Sequence, residues 1–154
     1  MSTTKGGWSY SASVPADTTI AAAITAFQNY SAVLYDMSVK VEHDNNLVNY
    51  ADGNVLSLAQ NYVTQERQLF LIRKGPETIK VLSATPDAAK PPVVTITACV
   101  DDTKYNTYIT SGPKNGQLAG QPQTTAHPNI YKVHQGADGK WRVNAVTPQR
   151  DKSC

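Results

Sequence analysis

Long apolar runs, clustered charge of one sign and cysteine are all scarce in this sequence, and each shortage argues against a class of protein. No stretch approaches the roughly 18 consecutive apolar residues that a membrane-spanning helix needs, and no charged segment followed by an apolar one opens the chain. The chain therefore reads as soluble. If it is exported, the targeting segment lies outside this sequence and residues 1–7 are a tether. Charged residues make up 17%, the formal net charge is +2, and the basic residues (Lys40, Lys74, Lys80, Lys104, Lys140 and Arg150 among them) are scattered. With no continuous stripe to follow a phosphate backbone, nucleic acid is not an expected partner. Serine-nucleophile signatures, glycine-rich phosphate loops and Cys/His metal spacings are missing too, so no catalytic residue, metal or cofactor is expected from motifs.

The two cysteines sit at legible places. Cys99 lies inside an apolar, strand-like run at 92–100, and Cys154 is the final residue, shortly after a second strand-like run at 140–146. Only one intramolecular pairing is open to them. Closing a loop of about 55 residues removes denatured-state entropy worth about 4 kcal/mol in the chain-entropy picture. Such a bond persists outside a reducing cytosol, so the pair reads as a clamp tying the C-terminal tail to a core strand of an extracellular protein. The alternative is two unrelated thiols, one a small buried hydrophobe and one on a frayed tail. A polar fraction rich in Thr, Ser, Asn and Gln also leans toward an exported surface.

At 154 residues, one buried core and one domain are expected. Residues 1–14 are rich in Gly, Ser and Thr and read as a flexible or extended N-terminal segment, leaving 15–154 as a single α+β domain. Asp17 or Thr18 caps a long amphipathic helix over about 16–38, in which Ile20, Ile24, Phe27, Val33, Leu34 and Met37 recur at helical spacing. A short helical turn at 47–51 precedes a second helix opened by Asp52-Gly53 and closed by Gly75-Pro76. The four consecutive apolar residues at 69–72 are ambiguous, because they also suit the start of a strand. Beyond Pro76 the period becomes two, with strands at 77–84 and 93–100 and a further segment at 105–110. Alternation places Val94, Ile96, Ala98 and Val100 on one face and Val93, Thr95, Thr97 and Cys99 on the other. A loop at 111–123 leads to a hairpin, 124–135 and 140–147, turning at Asp138-Gly139. Helices covering one face of a curved antiparallel sheet are the expected architecture.

Several short motifs carry a resemblance. Cys99-Val-Asp-Asp102 followed by Tyr105 and Tyr108, the run from Gly139 to Val143 around Trp141, the terminal Ser153-Cys154 and the helical Phe27 and Tyr30 are similar to those of an actinobacterial family of secreted proteins and lipoproteins. That family resembles the nuclear-transport-factor-2-like, or cystatin-like, superfamily. The resemblance implies a cone-shaped fold: a curved mixed or antiparallel sheet wrapped around the long N-terminal helix, with a pocket at the open end. It also implies an extracellular or cell-surface location on the outer face of the cytoplasmic membrane, reached through an anchor absent from this chain. Most members have no assigned activity, and the wider superfamily holds isomerases, dehydratases and adaptors, so fold alone decides little.

On these grounds the expected function is a non-enzymatic cell-envelope domain that binds a protein partner or a small apolar ligand. A homodimer formed through the sheet is a further expectation. The alternative is a small isomerase or dehydratase with an Asp or His base in the cone. Candidate pocket or interface residues are Tyr30, Tyr62, Tyr105, Tyr108, Asp101, Asp102 and Trp141. The tyrosines exceed what a minimal core requires and suit a pocket lining, although half-burial is their ordinary fate. Asp101-Asp102 is the densest charge cluster near a strand end, but a turn device accepting nearby backbone N–H groups explains it better than a cation site. His43, His127 and His134 read as surface residues. Trp141 reads as core, on one face with Val143 and Ala145.

Overall fold

Trp8 and Tyr10 alternate with serines, and that short period-two pattern suffices to make a strand. In the computed structural model, which describes all 154 residues, β1 (Ser2–Lys5) and β2 (Trp8–Ser11) form an antiparallel hairpin rather than a flexible segment. Trp8 and Tyr10 are buried at 3% and 1% exposure, and the Tyr10 hydroxyl donates to the Ile24 carbonyl at 3.2 Å. Burial of two large aromatic rings outweighs the local Gly/Ser composition that suggested flexibility.

Asp17 starts α1 (Thr18–Lys40) by accepting hydrogen bonds from the backbone N–H groups of Thr19 (2.9 Å) and Ile20 (3.0 Å), two donors with no partner inside the helix. The buried stripe runs through Ala23, Ile24, Phe27, Tyr30, Ser31 and Met37. Asp44 caps a 3-10 turn (Asn45–Asn49) in the same way, and its Leu47 is buried.

Helix α2 (Gly53–Gln68) ends earlier than the expected Gly75. Phe70 adopts a left-handed φ of 54°, which breaks the helical hydrogen-bond pattern, and its carbonyl accepts from Thr110 N at 2.8 Å. The chain then continues as β3 (Leu71–Lys74), so the ambiguous apolar run resolves as a strand. Gly75 turns β3 into β4 (Glu77–Pro86) with φ 111°; a Cβ there would lie 1.9 Å from the Lys104 carbonyl oxygen.

The remaining strands are β5 (Val93–Asp101), β6 (Asn106–Ile109), β7 (His127–Gln135) and β8 (Trp141–Pro148). The protein is thus α+β, with a six-stranded open sheet in the order β1-β2-β4-β5-β7-β8 and a separate two-stranded sheet of β3 and β6. All neighbours are antiparallel except β2 and β4, which run parallel with Trp8 opposite Glu77 and Tyr10 opposite Ile79. Both helices pack on β8, and α1 reaches most of the sheet.

Alternation in β5 falls where expected: Val94, Ile96 and Ala98 are fully buried and Val100 is 5% exposed. In β8 it does not hold throughout. Lys132 faces Ala145 while Val133 faces Val143, so Asn144 is an extra residue in a bulge. The phase flips there: Val143 is buried, Ala145 is exposed and Val146 turns inward, while Trp141 packs half-buried against the core. Phe27 sits at the centre of the core, with the Tyr131, Tyr10 and Tyr30 rings at 4.4, 5.9 and 6.5 Å between centroids.

Cys99 and Cys154 are bonded, with Cα atoms 5.9 Å apart and a sequence separation of 55. From β8 the tail crosses the start of β7, where Gln149 N donates to Pro128 O (2.9 Å) and Cys154 N to Ala126 O (3.2 Å), and reaches the outer side of β5. No helix is long and apolar enough to cross a membrane.

Candidate functional site

The inward-facing positions of three neighbouring strands change character toward one end of the sheet. On β5 the sequence Val94, Ile96, Ala98, Val100 continues in phase to Asp102, just past the strand; on β7, Val133 and Tyr131 are followed by Asn129 and His127; on β4, Ile79 is followed by Glu77. Polar side chains thus occupy a continuation of the core. Asp102, His127 and Asn129 are 4%, 1% and 8% exposed. They face a cavity of about 200 Å³ closed on its other sides by Tyr30, Leu34 and Val146 and capped by Arg73 and Arg150.

Two clefts adjoin this cavity and share both arginines. One, of about 320 Å³, lies between α1, α2 and β8 and is lined by Tyr30, Leu34, Val55, Leu58, Tyr62 and Val146. The other, of about 240 Å³, is polar, with Tyr62, Tyr105 and Asp102 on one side and the loop around Gln121 on the other. The three spaces share Arg73 and Arg150 as common walls and together make up a chamber grouped around the two guanidinium groups.

Asp102 is the electrostatic centre. One of its oxygens lies 3.9 Å from Arg73 Nη2 and 3.6 Å from Arg150 Nη1, and the other lies 3.7 Å from His127 Nδ1. None of these is a hydrogen bond in length. Arg73 is held by Tyr105: its Nη2 donates to the Tyr105 carbonyl at 3.2 Å, and its guanidinium carbon sits 3.9 Å from the ring centroid. Asn129 Nδ2 donates to the Tyr131 hydroxyl at 3.1 Å. Several buried atoms lack a well-formed hydrogen bond: Asp102 Oδ1, Asn129 Oδ1 and Arg73 Nε have no protein partner, and the His127 ring, the Tyr105 hydroxyl and the Glu66 carboxyl have only loose approaches to the Thr125 backbone, Ser38 and Tyr62 respectively. Such groups cost about 1–3 kcal/mol each when nothing satisfies them, so their concentration at one end marks a place built for something other than folding.

Burial also displaces the acids and bases. It pushes the carboxyl groups of Glu66 and Glu77 up to about 7, against the pull of Arg73, and Asp102 adds to the rise at Glu77. Burial holds the His127 imidazole below its ordinary value, with Asp102 opposing, so the ring is neutral at pH 7. Tyr30, Tyr131 and Tyr105 are raised by burial and stay protonated. The chamber therefore offers neutral imidazole, carboxamide and phenol groups beside a carboxylate and two fixed cations.

Four of the seven residues singled out in the sequence, Tyr30, Tyr62, Tyr105 and Asp102, line this chamber, and three lie elsewhere. Asp101 is exposed and makes the expected turn, accepting from Thr103 N (3.1 Å) and Thr103 Oγ1 (2.6 Å); the hydroxyl bond, then the amide bond, hold its carboxyl below the usual range. Asp102 does not share that role. Tyr108 sits on β6 opposite Ile72, and Trp141 borders a shallow depression with Tyr50 and the first half of α1. His43 is exposed, with Nε2 3.3 Å from Thr64 Oγ1. His134 is partly buried, its Nε2 2.6 Å from Asp52 Oδ2, which diverts Asp52 from capping α2. His127 is a correction: it reads from sequence as a surface residue, whereas parity with Tyr131 and Val133 puts the ring in the interior.

No protein-family model matches this chain, and no curated protein matches it. Among solved structures, the intermembrane space region of the chloroplast protein ARC6 is similar, at 18% identity with a TM-score of 0.43, covering 82% of this chain and 95% of that one.

Proposed function

We propose that this is a secreted or surface-anchored envelope domain of the nuclear-transport-factor-2-like, cone-shaped kind, and that its chamber binds a small ligand without converting it. The disulfide and the family resemblance support an oxidising, extracellular setting. One observation carries the binding reading: buried polar atoms of His127, Asp102 and Asn129 that lack well-formed hydrogen bonds line a cavity sharing Tyr30, Leu34, Val146 and both arginines with an apolar cleft. Preformed concave sites with a few convergent polar groups are the usual form of ligand sites. A protein partner in the envelope, or a second copy, would meet the outer sheet face, where Leu82 and Lys132 are exposed.

The second reading is an isomerase or dehydratase. It is favoured by the neutral, buried imidazole of His127 with a carboxylate oxygen 3.7 Å away, a pair suited to taking a proton from carbon. One experiment separates the two. A set of neutral and charged carbonyl-containing fragments is added to 15N-labelled protein in two parallel samples, amide shifts being followed in H2O buffer and fragment α-proton signals in buffer made with D2O. Shifts confined to the amides of Tyr30, Arg73, His127 and Asn129 support the chamber as the site. Loss of fragment α-proton signal that His127→Gln abolishes would favour the enzyme. Fragments that bind only elsewhere, or not at all, sink both readings.

A further inference from the structure

Among the residues lining the 320 Å³ cleft, Arg73 and Arg150 are the only charged ones, and the rest are largely apolar. We propose that the chamber takes an amphipathic monocarboxylate, its head group held by Arg73 and Arg150 and its apolar part lying between α1, α2 and Val146; this rests on the reading of the chamber as a ligand site.

The volume lies at the lower end of the range for small-molecule sites, about 300–1,000 Å³. Tyr30, Leu34, Val55 and Val146 give it an apolar wall, and Leu58 stands 62% exposed at its edge, an apolar side chain placed where a ligand's tail would cover it. The head-group end is positively biased. Asp102 is the one carboxylate within 4 Å of both guanidiniums, and with the neighbouring Glu66 and Glu77 protonated, two cations against one anion leave a single positive charge. Asp102 approaches each at more than hydrogen-bonding distance, so the forked donors of both arginines are not consumed by it. Glu66 and Glu77 also act on Arg73; burial lifts both carboxyls to about 7, so the single positive charge holds below that pH and is cancelled as the two acids ionise above it. A cationic ligand would meet two fixed positive charges. A neutral one would leave them unanswered, and a dianion would exceed the one charge available.

Beside Asp102, the loosely held His127 ring and Asn129 Oδ1 lie one layer deeper in the adjoining cavity, so a ligand with a hydroxyl group near its carboxylate gains further bonds there. The arginines stand on unrelated elements. Arg73 is fixed on β3 by the Tyr105 ring, whereas Arg150 is on the tail that the disulfide ties down.

The test is titration calorimetry at pH 6, below the range in which Glu66 and Glu77 ionise, with four ten-carbon probes below their micellar concentrations: decanoate, decanol, decyl phosphate and decyltrimethylammonium. Decanoate is expected to bind at least about tenfold more tightly than decanol, as charge-assisted hydrogen bonds imply, and more tightly than the other two. Arg150→Gln is expected to weaken decanoate at least about fivefold and to leave decanol unchanged. Arg150 is half-exposed, so this variant keeps the fold where a change at Arg73 endangers the Tyr105 contact. Decanol binding within about twofold of decanoate overturns the proposal while leaving an apolar-ligand site standing. Tighter binding of decyl phosphate, binding indifferent to Arg150→Gln, or no binding by any probe also overturns it.

Discussion

Removing the covalent clamp by Cys99→Ala with Cys154→Ser tests how much of the fold depends on it. The bridge spans 55 residues and holds the tail across two strands. In the chain-entropy picture a loop of that size is worth about 4 kcal/mol, because the unfolded chain loses freedom that the folded one never had. For a domain of this size about 1 kcal/mol moves the melting point by roughly 2–4 °C, so the variant is expected to melt roughly 8–16 °C lower. Only two backbone hydrogen bonds, from Gln149 and Cys154, otherwise pin the tail, so little native packing is lost with the bridge. Urea unfolding of wild type, reduced wild type and the double variant is the assay. Stability should fall by the same amount in the last two, and the denaturant slope should rise, since the uncrosslinked denatured state exposes more surface. A loss below about 1 kcal/mol, or a loss with no change of slope, would refute the entropic account and make the bridge a passive fastening of the tail.

Two further outcomes follow from the chamber and its frame. Burial lifts the carboxyls of Glu77 and Glu66 to about 7, so at these two sites the folded state binds protons more tightly than the unfolded one, and their contribution to stability is full below about pH 4.5 and is lost as pH rises through about 7. Glu77→Gln is expected to remove part of that decline, gaining roughly 1–2 kcal/mol at pH 8, discounted for the residue's partial exposure, and nothing at pH 4.5; denaturation midpoints across that range check it, and a variant no more stable at pH 8 contradicts it. Gly75→Ala puts a Cβ against the Lys104 carbonyl with φ 111° and is expected to cost about 3 kcal/mol or more in urea unfolding, with a loss under about 1 kcal/mol counting against the strain.

Much of this was legible in the residues, and the failures share one cause. Capped α1, the alternation of β5, the β7–β8 hairpin and the pairing of Cys99 with Cys154 all follow from local signals. On the inner faces of the strands the polar residues went unrecognised as interior: His127 reads from sequence as surface and Asp102 as part of a turn. Asp102, Glu77 and His127 each keep the phase of apolar neighbours (Val100, Ile79 and Tyr131), and that phase was the available clue. Arg73 was hidden because the segment after α2 was expected to stay helical, and the break depends on Phe70 taking a left-handed φ that only the pairing of β3 with β6 rewards. Arg150 had no local signal. It enters the chamber through the path of the tail, which no periodicity encodes.

The placement of these polar groups separates folding from function along each strand. At one end Val94, Val133 and Val143 are fully buried and make an ordinary core; at the other, the same face carries Asp102, His127 and Asn129 with atoms that lack well-formed hydrogen bonds. If selection had acted on stability alone, apolar side chains there would have removed several costs of about 1–3 kcal/mol each. The expense is of the same order as what the disulfide contributes, and the two meet physically at Arg150, which the clamped tail brings to within 3.6 Å of Asp102. The clamp thus does two things at once: it offsets the instability of a polar interior, and it holds Arg150, one of the two cations of that interior, beside Asp102.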